Sequence, residues 1–201
     1  TWAEMNLSSP MGDGTKLRIT PEQMRIILWH YAITEDGNWA YWKSLWQSSK
    51  GSGKDGLGAI LGIVELIGPC RFSHWEYHED GAKSPASRDN PAALVQFAGV
   101  SKAQTNNTMD FIPLILNERV RGEYNLEVQK EIVYATGTGR KLEQVGSNYA
   151  ALQGNRATYV VMNETQHWIP SQGGPKLYDV LKNNVLKTRG HFLMITNAHE
   201  P

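Results

Sequence analysis

The sequence predicts an α/β fold, with a mostly parallel central sheet covered by helices on both faces. Three observations carry this. Short apolar runs at residues 92–100, 159–162 and 192–195 carry apolar residues on both faces, as buried strands do. Runs at 57–67 and 176–187 place apolar residues on one face, as helices packed on a sheet do. Strands and helices alternate along the chain, the pattern of parallel sheets linked by crossover helices.

Residues 1–17 are rich in Ser, Pro and Gly and read as an irregular segment ahead of one domain spanning 18–201. Thr20-Pro21-Glu22-Gln23 reads as a helix start, with Thr20 as N-cap, Pro21 in the first position and Gln23 reaching back. Glu35-Asp36-Gly37-Asn38 is a turn, and a strand follows over 39–46. Gly68-Pro69 stops the 57–67 helix, and the polar stretch 73–91 reads as a surface excursion. A helix over 104–116 bends near Pro113. Period-two alternation around Gly137-Thr138-Gly139 predicts a β-hairpin over 131–146. Leu177, Val180, Leu181 and Val185 share one face of the 176–187 helix, which Gly190 closes.

Bulk properties narrow the function. Twenty Lys and Arg balance twenty Asp and Glu, so the domain has no overall field to hold a polyanion, and any such contact needs a local patch or a ring of copies. Lys102, Arg119 and Arg121 could face DNA, but isolated basic residues of this kind are usually just solvated. The single cysteine, Cys70, excludes an internal disulfide. No apolar run reaches membrane-spanning length, and the N-terminus lacks a signal-peptide pattern. The loop-like end at Pro201 suggests a fragment of a longer protein.

The most informative stretch is Ser48-Ser49-Lys50-Gly51-Ser52-Gly53-Lys54-Asp55, between a strand and a helix. Backbone N–H groups in such a turn converge on one point, and the helix N-terminus adds positive potential there. Gly51 and Gly53 allow close approach of phosphates, and Lys54 reaches the β and γ oxygens of a nucleoside triphosphate. Ser49, Lys50, Ser52, Asp55 and Gly56 complete the candidate nucleotide cradle. The pattern departs from the common phosphate loop in having Ser48 for Gly and Asp55 for Ser or Thr.

Two further strand ends turn polar where their apolar runs stop, at Asn163-Glu164 and at Thr196-Asn197. Ligands of parallel sheets sit at such ends. Glu164 is the candidate base that polarises water for attack on a γ-phosphate. A helix-start carboxylate satisfied by backbone donors is the alternative. Asn163 stands where such sites carry Asp, while Asp55 adds a carboxylate in the loop. Together they are the candidate Mg²⁺ ligands, direct or through water. Thr196 and Asn197 are candidate γ-phosphate sensors, or simply turn formers. The fold class is accordingly a three-layer phosphate-loop NTPase of the additional-strand, catalytic-glutamate type.

With these residues placed, the chain resembles the ATPase domain of the large terminase subunit of tailed bacteriophages. The resemblance rests on Thr20–Gln23, Lys50–Asp55, Val100-Ser101-Lys102-Ala103-Gln104-Thr105, Tyr159–Glu164 and Ile195–Pro201. The final Thr-Asn-Ala-His-Glu-Pro and the run Met162–Trp168 resemble a branch from phages of actinobacteria. The resemblance implies ATP and Mg²⁺ as cofactors, Gln23 at the adenine edge, and Lys50 in place of the loop's usual Arg; the arginine offered to a neighbouring subunit matches Gln153 here, with Arg156, three residues later, as the candidate for that role. It implies double-stranded DNA, the portal protein and the small terminase subunit as partners, in a homo-oligomeric ring in the host cytoplasm and without a membrane. The family's nuclease domain has no counterpart in these residues. Two rivals stay open: a helicase-like DNA-dependent ATPase, and a nucleotide-binding assembly scaffold without turnover.

Overall fold

The computed structural model describes residues 1–198. The chain opens with helix α1 (Trp2–Asn6) and helix α2 (Pro21–His30), followed by strand β1 (Lys43–Ser48) and helix α3 (Lys54–Ile67). A ribbon of β2 (Arg71–Tyr77) and β3 (Lys83–Arg88) precedes strand β4 (Leu94–Ala98). Helices α4 (Lys102–Met109), α5 (Ile112–Ile115) and α6 (Glu118–Glu123) lead to strands β5 (Leu126–Val128), β6 (Ile132–Ala135) and β7 (Arg140–Val145). Helix α7 (Tyr149–Leu152), strand β8 (Tyr159–Met162), helix α8 (Gly174–Lys187) and strand β9 (His191–Asn197) complete the described chain.

The main sheet has seven strands in the order β1-β9-β8-β4-β7-β6-β5. The five strands from β1 to β7 run parallel, and β6 and β5 add antiparallel pairs at one edge. Strand β4 is central, as its apolar residues on both faces predict. The two faces feed two separate cores. Tyr159, Val161, Leu193 and Ile195 pack with α3, whereas Val160, Met162 and Phe192 pack with α8. This period-two split within single strands is what places helices on both faces.

Several expectations change in detail. Residues 1–17 are not all irregular: Thr1 caps α1, and Ala3, Leu7 and Leu17 are buried in the α3-side core. The 39–46 strand begins only at Lys43. The 73–91 stretch is a surface excursion, but most of it is the paired β2–β3 ribbon. The helix expected over 104–116 is split at Asp110–Phe111, because Pro113 has no N–H to continue the ladder and is instead accommodated in the first turn of α5. Helix α8 is closed by Arg189 at φ 53°, not by Gly190. Gly190 is needed for a different reason, since a Cβ there would lie 2.2 Å from the Thr158 carbonyl oxygen.

Candidate active site

The turn between β1 and α3 leaves Gly51 at φ 83° and Gly53 at φ 78°, conformations that side chains resist. Gly53 is the N-cap of α3, so the first N–H groups of that helix face the turn. Lys54 follows at 4% exposure, yet among the described residues it has neither an ion-pair nor a hydrogen-bond partner. The Ser52 hydroxyl is likewise buried without a partner. Ser49 and Lys50 are exposed at the tip, and Gly56 packs on Pro10. A buried donor left unpaired is costly, so the Ser52 hydroxyl is open to an acceptor from outside the chain.

Asn163, fully buried at the end of β8, donates from Nδ2 to Asp55 Oδ1 at 3.4 Å and to Thr108 Oγ1 of α4. Its Oδ1 has no partner. Burial raises the Asp55 carboxyl above its ordinary value, while Lys54 and the Asn163 bond pull it back. A carboxylate beside an orphaned amide oxygen is a hard-oxygen donor pair that suits Mg²⁺. Among the described residues no three His, Cys, Asp or Glu side chains form a cage by themselves. Mg²⁺ fits such a site, since it is commonly held by one or two protein oxygens plus phosphates.

Glu164 lies at φ 48° and ψ 51°, and its side chain makes no capping bond to the 3₁₀ turn Thr165–His167 that it starts. The helix-start alternative is therefore overturned. Gln166, in that same turn, was not singled out by the sequence. Its Oε1 accepts from Thr196 Oγ1 at 2.7 Å and from Asn197 N at 3.2 Å. Asn197 pairs in register with Ser48, which brings the end of β9 beside the turn between β1 and α3, and Asn197 Oδ1 is buried without a partner. The last three residues of the Ile195–Pro201 motif lie outside the described residues.

Gln23 makes the expected capping box, accepting from Thr20 N at 3.0 Å. Its Nε2 lies 3.7 Å from where a Cβ on Gly53 would stand, and it lines a cleft of about 620 Å³ with Pro10, Met11, Lys16 and Arg18. Arg156 is not brought to this end. It lies exposed before β8, at the opposite end of the parallel strands, and so cannot reach its own chain's phosphate turn.

The chain is 38% identical over 190 residues to the gene 13 proteins of two Mycobacterium phages, L5 and D29, covering 90% of itself. It spans 31% of their length. No family model matches. The HK97 bacteriophage large terminase superposes with a TM-score of 0.64 at 14% identity, over 96% of this chain and 36% of that one. The chain has the fold of a phage large-terminase ATPase domain. The Thermus phage P74-26 large terminase ATPase domain shares this fold at a TM-score of 0.52 and 11% identity, over 90% of this chain and 70% of that one. A large terminase from another thermophilic bacteriophage shares it at 0.54 and 9%, over 90% of this chain and 39% of that one. The terminase ATPase fold thus explains the order of elements, and the 38% identity connects the sequence to mycobacteriophages.

Proposed function

We propose that this chain hydrolyses ATP to drive double-stranded DNA into a procapsid, as the ATPase domain of a large terminase subunit. One observation carries the reading. The Asp55–Asn163 contact ties the first turn of α3 to the strand end that bears Glu164, amid orphaned polar atoms. The terminase fold and the mycobacteriophage relatives support it.

In this reading the N–H groups around Ser52 and the start of α3 hold the phosphates, and Lys54 sits on the β and γ oxygens. Lys50 adds a point charge without the fork of an arginine. Gln23 and the neighbouring cleft take the base. Asp55 and Asn163 Oδ1 hold Mg²⁺, directly or through water, and the ion when bound supplies positive charge to the phosphate oxygens. Glu164 orients the attacking water and accepts its proton. Thr196 and Asn197 sense the γ-phosphate, and Gln166 links them to the Glu164 turn, so loss of phosphate is felt at both strand ends. The chain acts in a ring of copies. Portal protein, small terminase subunit and DNA meet that ring in the host cytoplasm.

The test is Mg²⁺-dependent phosphate release by the purified chain, dilute and concentrated. We expect turnover that Glu164→Gln lowers by about 100-fold or more with ATP binding kept, and binding lost in Lys54→Ala. Full turnover in Glu164→Gln overturns the assigned base. Nucleotide binding without turnover at any concentration makes the chain a scaffold.

A further inference from the structure

The N-terminal ends of the parallel strands, remote from the phosphate turn, surround a cleft of about 630 Å³. Arg71 of β2, Arg88 of β3, Arg156 before β8, Lys187 at the end of α8 and Arg189 before β9 line it, and no carboxylate does. Arg71 is already committed to Glu65, at 2.7 Å. Arg88, Arg156, Lys187 and Arg189 have no ion-pair partner among the described residues, and Arg88 donates only to the neighbouring Asp89 carbonyl, at 3.4 Å. By contrast Lys102 pairs with Glu131, Arg119 with Glu123, and Arg121 donates to the Leu116 and Pro113 carbonyls. Four uncompensated cations thus share one cleft.

We infer that this cleft binds the phosphodiester backbone of duplex nucleic acid. Four like charges around one cleft repel, and an anion with several charged groups relieves all four at once. Three of them are guanidinium forks, which match phosphate oxygens bidentately. The carbonyls at the C-terminus of α8 would attract Lys187 and Arg189. That accounts for neither Arg88 nor Arg156, which come from other elements. Arg189 moreover holds φ 53°, a conformation that glycine or asparagine adopts more readily, so a guanidinium is kept there against backbone preference. Recognition is of backbone and not of stacked bases. Trp39 lines the cleft, but its ring is stacked on His191 at 4.1 Å and covered by Arg71 at 5.3 Å.

The inference rests on the proposed function only in its choice of double-stranded DNA as ligand. The test is anisotropy of a labelled 20-base-pair duplex titrated with the chain, without nucleotide, across a salt series. We expect the combined variant Arg88→Gln, Lys187→Gln, Arg189→Asn to bind at least about ten-fold more weakly, with the log–log salt slope reduced by about 1 per cation removed. Removing Lys130, Lys176 and Lys182 instead changes the net charge equally and should leave affinity within two-fold. Circular dichroism and unchanged DNA-free ATP turnover check that the cleft variant folds. Equal affinity and slope in the cleft variant and the parent overturn the site, as does an equal loss in both variants. Intact duplex binding with turnover lost only at high chain concentration would assign the cleft to a neighbour's triphosphate, overturning the inference. If the parent shows no turnover at all, the ATPase reading fails while the binding comparison still stands.

Discussion

Glu164 adopts a left-handed backbone conformation that costs a non-glycine residue about 1–2 kcal/mol. Such strain persists where the surroundings fix it, and here the carboxylate is left free of a capping role. We expect Glu164→Gly to relieve it, raising the thermal midpoint by about 2–4 °C while abolishing turnover. A lower midpoint would mean that the side chain itself holds the turn. The sequence marks Glu164 because an acid ends an apolar strand. It marks neither Gln166 nor Thr108, since polar residues in a loop or a polar helix carry no period that distinguishes them. Their roles come from what folding sets opposite them: Thr196 for Gln166 and Asn163 for Thr108.

At the scale of elements, α3 is central to the architecture, because it follows the glycine turn after β1 and lies against the sheet. Glycines let it approach closely. A Cβ on Gly62 would stand 2.5 Å from the Phe97 ring and 3.2 Å from Leu142 Cδ1. We expect Gly62→Ala to destabilise by about 1–3 kcal/mol through overpacking, against a helix-propensity gain of about 1 kcal/mol. Gly122→Ala in α6 meets nothing within 4 Å and should keep that gain. Denaturant midpoints of the two variants should therefore move in opposite directions; a parallel shift would remove close packing as the reason for Gly62. The helix itself is legible in the sequence. Its glycines are not, because helical pattern alone rates them as weaknesses.

For the whole molecule, a buried polar network at the end of the sheet opposite the phosphate turn joins distant segments. Glu65 of α3 is fully buried and meets Arg71, His191 Nε2 at 2.9 Å and the Tyr31 hydroxyl at 2.9 Å. His30 stacks on His191 at 4.4 Å and bonds Ser44 and Tyr159. Burial alone would raise the Glu65 carboxyl, but Arg71 and then His191 outweigh it and hold it at about 2, below its ordinary 4.5. Burial also lowers both histidines below their ordinary 6.5. Below pH 6.5 the unfolded chain takes up protons that the folded histidines refuse, so stability falls as pH falls. The Glu65 contribution is complete above 4.5 and is lost as pH drops towards 2. We expect denaturant midpoints to decline from pH 7 to 5 and more steeply below 4.5; a flat profile over pH 7 to 5 would show that the histidines titrate normally. Arg71→Ala, which strands the buried carboxylate, should cost about 3–5 kcal/mol.

The sequence by itself determined the alternation of strands and helices, the central position of β4, the hairpin of β6 and β7, the glycine turn between β1 and α3, and the polar strand ends. Each is a local matter, written in hydrophobic period, glycine placement and capping residues. Only the tertiary structure decided which strand ends stand together, that Asp55 meets Asn163, that Gln166 links to Thr196, and that Arg156 lies at the far end among other unpaired cations. Those are contacts between residues from about 30 to over 100 positions apart, and no local pattern encodes them. They are fixed by strand order and by the packing of helices on two faces, which exist only once the whole sheet has formed.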